Sequence, residues 1–152
     1  MVGCAPKTFL EAPGSSTASP PTGEFTLETS KDLALAFVDD LLARRTSSAL
    51  GKMEQSFRET QTEGTFKGAW DTLTSASGPP TEFKYKDHSA GSRYYLSGEV
   101  KPAHKFWFAT ITTKYQEGEY FTFVEVVQDK SRPAVAGFAL VTFPQGHPES
   151  LR

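Results

Sequence analysis

The chain has a single cysteine and no long apolar run, and these features exclude an internal disulfide and a membrane-spanning helix. Its 152 residues include one cysteine, so no disulfide can form within the chain. No apolar stretch approaches the roughly 20 residues that cross a bilayer as a helix. The three histidines, His88, His104 and His147, lack the close ligand spacing of a zinc site. We therefore expect no bound metal.

Charge is balanced and finely mixed along the chain. Sixteen basic residues stand against eighteen acidic ones, and neither sign forms a run of five or six. A duplex nucleic acid or an anionic membrane surface would require a basic face, so neither is an expected partner. No phosphate-binding loop, nucleophile elbow, zinc-protease or dinucleotide motif occurs. The sequence therefore predicts no catalytic residue and no cofactor.

Composition divides the chain into two parts. Twelve Phe, two Trp and five Tyr are enough to form the core of one domain. Residues 1–29 are instead rich in Pro, Gly, Ser and Thr, a composition typical of a flexible tether. We predict a tether over residues 1–29 and a folded domain over residues 30–152.

The single thiol, Cys4, stands at the start of this tether. Val2-Gly3-Cys4 resembles the end of a bacterial lipobox, in which small residues precede a cysteine that becomes lipidated. The resemblance implies an exported domain of the cell envelope that contacts the membrane only through its lipid anchor. Only Met1 precedes these residues, so either the signal segment is missing from this sequence or the match is coincidental.

Apolar spacing predicts three helices. Thr29 and Asp32 suggest a capping box before a helix with an apolar stripe at Leu33, Phe37 and Leu41. A second, shorter helix is predicted around residues 48–57, with Ser48 as its cap. A third follows from Thr65 as cap and an i, i+4, i+7 stripe, and Gly78-Pro79-Pro80 ends it. That stripe contains Phe66, Trp70 and Leu73.

Beyond Pro80 the apolar period changes to two, which predicts five strands. We place them at residues 81–89, 92–101, 105–115, 120–128 and 134–143. A turn between Glu117 and Gly118 would pair Tyr115 with Tyr120 and Ala109 with Val126. Helices followed by a meander of strands predict an α+β fold with the helices on one face of an antiparallel sheet.

This order resembles the NTF2-like or cystatin-like superfamily. The segments "FVDDLLARRTSSALGKM" and "GTFKGAWDTLTSASGPPTEFKYKDH", with "VAGFAL" at residues 135–140, resemble small bacterial secreted domains of the DUF3887 and DUF4019 type. The resemblance implies a curved sheet and a cone-shaped pocket beneath the helices. Some relatives are isomerases or dehydratases that use an Asp or His base with Tyr donors. The residues that could fill these roles are Asp87, His88, Tyr94, Tyr95, His104 and Glu125.

Each candidate also has a plainer interpretation. Asp87-His88 would mark a solvated turn before Ser89-Ala90-Gly91, and Glu125 would be an exposed carboxylate opposite Thr110. The aromatic residues that could line an apolar ligand site are equally consistent with core packing. They are Trp70, Tyr95, Trp107 and Tyr115.

Three functions therefore remain open. The first is a tethered, non-enzymatic domain that binds a small apolar ligand or a protein, the second is an isomerase, and the third is a dimerisation module. Dimerisation is suggested because both alternating sets along residues 105–111 are apolar. A second copy would then cover the sheet face opposite the helices, unless that set lines an internal pocket.

Overall fold

A computed structural model describes residues 24–142 as four helices followed by a four-stranded antiparallel sheet. The strands follow one another across the sheet in chain order, and the sheet is not closed. This arrangement confirms the predicted α+β class. No helix among these residues is long and apolar enough to cross a membrane. The elements are α1 (Leu27–Leu42), α2 (Thr46–Gly51), α3 (Gln55–Thr60), α4 (Glu63–Ser75), β1 (Pro80–Tyr94), β2 (Val100–Thr112), β3 (Tyr120–Asp129) and β4 (Arg132–Thr142).

Both long helices begin three residues earlier than predicted, and for the same reason. Each starts with a Thr-x-x-Thr capping box in which the first threonine, Thr26 or Thr62, is the cap. In α1 the Thr26 hydroxyl accepts from the Thr29 amide at 3.1 Å, and the Thr29 hydroxyl accepts from the Thr26 amide at 2.9 Å. A second threonine can therefore take the place of the usual Glu or Gln. The predicted domain boundary at residue 29 accordingly falls inside α1.

The predicted second helix is in fact two short helices. They are separated by Lys52-Met53-Glu54, which runs parallel to β4 beside Val135. The Glu54 amide donates to the Val135 carbonyl at 2.9 Å, and the Val135 amide donates to the Lys52 carbonyl at 2.8 Å. This short pairing covers part of the outer edge of β4 and fixes where the side chain of Glu54 lies.

The apolar stripes of α1 and α4 pack on one face of the sheet. Leu33, Phe37 and Leu41 are buried as predicted, and so are Phe66 and Trp70. The stripe of α4 is wrong at its end, because Leu73 is 41% exposed. Thr74 is buried in its place, and its hydroxyl donates to the Trp70 carbonyl at 2.9 Å.

The predicted turn at Ser89-Ala90-Gly91 is wrong. These residues continue β1, where Ala90 pairs with His104 of β2. The chain reverses after Tyr94 instead, at a turn in which Gly98 has a φ of 93°. Only glycine adopts that conformation readily, so Gly98, and not Gly91, marks the turn. Five predicted strands therefore become four.

The pairing of β2 with β3 differs from the predicted hairpin by five residues. Ala109 pairs with Phe121 and not with Val126. The cause is a seven-residue connection in place of the predicted connection of four residues, 116–119, because the Thr112 hydroxyl accepts from the amides of Lys114 and Tyr115 and ends the strand early. An odd shift moves side chains to the opposite face.

The sheet has a helix-covered face and an opposite face. On the covered face Phe106 and Phe108 have no exposed surface. On the opposite face Ala109 and Phe121 are also fully buried, and Trp107 packs on Phe123 with ring centroids 5.2 Å apart. Trp107 and Phe123 are half-buried, so this face carries no large exposed apolar side chain among residues 24–142. The large apolar residues that are exposed lie elsewhere: Leu27, Leu35, Leu42, Leu73, Tyr94, Leu96 and Val100.

Candidate functional site

The four aromatic candidates do not form one ligand site. Trp70 is 2% exposed and lies in the core beneath the helices, whereas Trp107 lies on the opposite face of the sheet. Tyr115 lies in the connection between β2 and β3 and stacks on Tyr120 at 5.1 Å. Tyr95 belongs to the turn after β1. The contact between Tyr115 and Tyr120 is as predicted, although the pairing register is not.

Aromatic rings occupy the space between the helices and the sheet. The ring of Phe138, on β4, lies 5.3 Å from that of Phe37 and 5.9 Å from those of Phe66 and Trp70. Phe37, Phe66 and Trp70 are each at most 2% exposed. The predicted cone pocket is therefore occupied by side chains from α1, α4 and β4.

A buried acid and a tyrosine hydroxyl meet at the other end of the sheet. Glu54 is 4% exposed and accepts from the Tyr95 hydroxyl at 3.0 Å and from the Lys101 ammonium at 3.2 Å. Lys101 also lies 3.5 Å from Asp129 at the end of β3. We call Glu54, Tyr95, Lys101 and Asp129 the charged cluster. Its position follows from the short pairing beside Val135, which directs Glu54 toward the turn after β1.

The members of the charged cluster shift one another's pKa values. Burial, together with the hydrogen bond to Glu54, raises the pKa of Tyr95 well above its ordinary value. Burial alone would lower the pKa of Lys101, but its hydrogen bond and charge interaction with Glu54 give a net rise. Tyr95 thus stays a neutral donor and Lys101 stays a cation, and both donate hydrogen bonds to the Glu54 carboxyl group.

Glu125 belongs to a second ion pair, beside the charged cluster, in which the carboxylate is buried and Arg93 is half-exposed. Glu125 is 5% exposed and is ion-paired with Arg93. The prediction that it is an exposed carboxylate opposite Thr110 is therefore wrong. The shifted register places Glu125 opposite Lys105, which moves it to the other face. The guanidinium of Arg93 also lies 5.5 Å from the ring of Tyr95 and so links the two groups.

Two surface depressions adjoin these residues. A broad polar cleft of about 410 Å³ lies outside the charged cluster, and Lys101 and Asp129 form part of its wall. The rest of that wall is Gln55, Ser56, Glu59, Glu99, Gln128 and Lys130. A trough of about 120 Å³ lies beside Glu125 and Lys105 and is lined by Ser89–Ser92 and Ala103. Drug-sized ligands occupy roughly 300–1,000 Å³ of mostly apolar space, and neither depression combines that size with an apolar lining.

The histidine candidates lie in a separate group. The hydroxyl of Tyr85 lies 2.7 Å from Nδ1 of His88, and the hydroxyl of Ser30 lies 3.1 Å from Nδ1 of His104. Asp87 and His88 pair with β2 inside β1, so they do not mark a turn. Tyr94 is 77% exposed, apart from both groups. Residues 24–142 contain no group of three or more His, Cys, Asp or Glu that could hold a metal ion.

His104 makes the stability of the domain dependent on pH. Burial, and then the charge of His88, lowers the pKa of His104 below its ordinary value of 6.5. The folded state therefore favours neutral His104, which stacks on Phe25 at 4.8 Å. Its contribution is complete above the unfolded pKa and is lost as pH falls through the lower folded pKa. We expect the free energy of unfolding, measured by urea titration, to fall as the pH is lowered from about 7 to 5. His104→Gln should make this dependence on pH weaker. The same dependence on pH in the variant and the wild-type chain would contradict the role of His104.

Sequence reasoning missed Glu54, which is the centre of the charged cluster. The residue stands in a segment with helical apolar spacing, and only the pairing of Met53 with Val135 reveals its burial. Cys4 and His147 lie outside the described residues. No protein-family model, curated protein or solved structure matches this chain.

Proposed function

We propose that this chain is a non-enzymatic domain of the bacterial cell envelope, held to a membrane by a lipid on Cys4, that binds a protein partner through its surface. One observation carries the choice of a protein over a small apolar ligand. The space in which an NTF2-like fold would bind such a ligand is occupied here by Phe37, Phe66, Trp70 and Phe138. Binding through the surface needs no rearrangement of these rings.

The exposed apolar residues favour a surface contact. Tyr94, Leu96 and Val100 lie together around the turn between β1 and β2, and are 77%, 109% and 50% exposed. Tyrosine is enriched at protein interfaces because its ring is apolar and its hydroxyl remains hydrogen-bonded. A tether also makes a weak contact effective, because it fixes the local concentration of the domain at the membrane.

The lipid anchor has a direct test. The chain expressed behind a complete signal peptide should incorporate labelled fatty acid and sediment with membranes, while Cys4→Ser should lose both properties. Cys4 is the sole cysteine, so the substitution removes the only site for thioether attachment. Equal membrane recovery of the two forms would contradict the anchor and leave the binding surface untouched.

An isomerase remains the second candidate, and the contact between Glu54 and Tyr95 favours it. A buried acid beside a tyrosine hydroxyl is an arrangement suited to proton transfer next to a carbonyl group. Here, however, the Lys101 ammonium also donates a hydrogen bond to the Glu54 carboxyl group, and polar side chains line the adjoining cleft. We expect no conversion of a β,γ-unsaturated ketone by the purified chain. Turnover that Glu54→Gln abolished would favour the isomerase.

A further inference from the structure

The two outer edges of the sheet are treated differently. The edge of β4 is paired with Met53 and its neighbours through two backbone hydrogen bonds to Val135. Among residues 24–142, no strand pairs with the outer edge of β1, which is fifteen residues long. An open edge presents unpaired N–H and C=O groups that another strand can use.

The first half of β1 carries features that discourage such pairing. Its register with β2 is irregular between Pro80 and Glu82 and between Tyr85 and Asp87. This half also carries Lys84 and Lys86, both ion-paired with Glu117 at 2.9 Å. Bulges and lysines are the usual protection of an edge.

The second half of β1 pairs regularly with β2 and has small side chains at its centre. From Asp87 to Tyr94 the pairing with β2 continues without a shift. Its centre, Ser89-Ala90-Gly91-Ser92, contains neither proline nor charge, and all four residues are exposed. A second backbone can approach such side chains closely.

We propose that this half of β1 pairs antiparallel with the same segment of a second copy, around a two-fold axis at Ala90. The two sheets then join into one continuous eight-stranded sheet. Ala90 faces Ala90 of the second copy, and Ser89 faces Gly91. The axis also brings Asp87 opposite Arg93 of the second copy, twice by symmetry.

Charge complementarity identifies the occupant as a second copy. Asp87 and Arg93 lie three residues on either side of Ala90, and both pair with alternate residues of β2 on the same face, Trp107 and Lys101. An antiparallel copy therefore places opposite charges side by side, which stabilises cross-strand pairs. Within one copy, Arg93 donates to Glu125 through Nη1, and the Asp87 carboxylate accepts from the His88 amide at 2.8 Å. The exposed ring of Tyr94 would lie beside the Tyr85–Asp87 bulge of the second copy.

Disulfide trapping tests the position of the axis. Opposed residues of an antiparallel pair have Cα atoms about 4.5–5.5 Å apart, which suits a disulfide. In a Cys4→Ser background, Ala90→Cys should oxidise rapidly to a covalent dimer. Thr81→Cys, on the same strand but far from the axis, should remain monomeric in denaturing gels. Equal cross-linking of the two variants would overturn the proposed register.

Sedimentation equilibrium tests the dimer itself, without any lipid anchor. At about 100 μM the unlipidated chain should have twice the monomer mass, a concentration that detects weak interfaces. Ala90→Lys places two like charges on the axis and should halve the mass, whereas Ser97→Lys adds the same charge in the turn and should leave it doubled. Asp87→Lys provides a second disruptive variant, since it faces Arg93. A monomeric wild-type chain, or a dimer retained in both disruptive variants, would overturn the proposal.

Discussion

Replacement of Trp70 by alanine is expected to lower the free energy of unfolding by about 3–5 kcal/mol. Trp70 is 2% exposed and packs against Phe138 between α4 and the sheet, so its removal leaves a cavity that rigid neighbours fill only in part. Urea unfolding followed by circular dichroism measures the loss, with an unchanged slope against urea as evidence of two-state behaviour.

Leu73 supplies the matched control for this change. It stands on the same helix, one turn later, and is 41% exposed. Leu73→Ala should therefore cost no more than about 0.5 kcal/mol, as most surface substitutions do. If the two variants lost similar stability, Trp70 would not be the core residue described here.

Replacement of Asp40 by alanine is expected to lower the free energy of unfolding by about 3–5 kcal/mol, because it breaks a buried ion pair. Asp40 is 2% exposed and accepts from Arg45 at 2.9 Å, from the Ser48 hydroxyl at 2.7 Å and from the Lys52 ammonium at 2.5 Å. Removal of this carboxylate takes away a negative charge that lies 2.5 Å from the ammonium of Lys52, which is itself buried. The network joins α1 to α2, so its loss should loosen that junction.

The adjacent residue, Asp39, makes the comparison clean. It has the same charge on the same helix but is exposed. Asp39→Ala should change stability by less than about 0.5 kcal/mol, and Asp40→Asn should fall between the two alanine variants because it keeps the shape and some hydrogen bonds. Similar losses for Asp39→Ala and Asp40→Ala would show that the network contributes little.

The class of the fold was predictable because it depends on the apolar period, which a single sequence displays. The change from a 3.6-residue to a two-residue period near Pro80 separates the helices from the sheet. The burial of Phe37, Phe66 and Trp70 followed from the same pattern. These features are local, so no knowledge of distant partners was needed.

Details that depend on distant contacts were not predictable. The register of β2 and β3 changed because one threonine, Thr112, ends the strand through its side chain, and a five-residue shift reassigns every pair. Glu54 is buried where its neighbour Met53 pairs with Val135, on a strand about eighty residues later in the chain. A single sequence contains no signal for such a contact, and the centre of the charged cluster was missed for that reason.

The two caps were misplaced for a local reason that the sequence does display. Both helices begin with Thr-x-x-Thr, whereas the capping box with Asp32 favours Thr29 and the apolar stripe that follows Thr65 favours Thr65. Either threonine can accept from a backbone amide. The pattern "TLET" and "TEGT" predicts a start at the first threonine in both helices.

The rings of Phe37, Phe66 and Trp70 pack against Phe138 between the helices and the sheet. The proposed binding of a protein through the surface depends on this packing. The most direct measurement is the thermal midpoint of the wild-type chain with and without small apolar compounds such as indole and benzene. A ligand at 100 times its dissociation constant would stabilise the folded state by about 2.7 kcal/mol, an easily measured shift. We expect no shift for the wild-type chain and a rise with indole for Trp70→Ala, whose cavity has the shape of the missing ring. A rise of several degrees for the wild-type chain would contradict this expectation, because an open apolar site would then exist in the native protein.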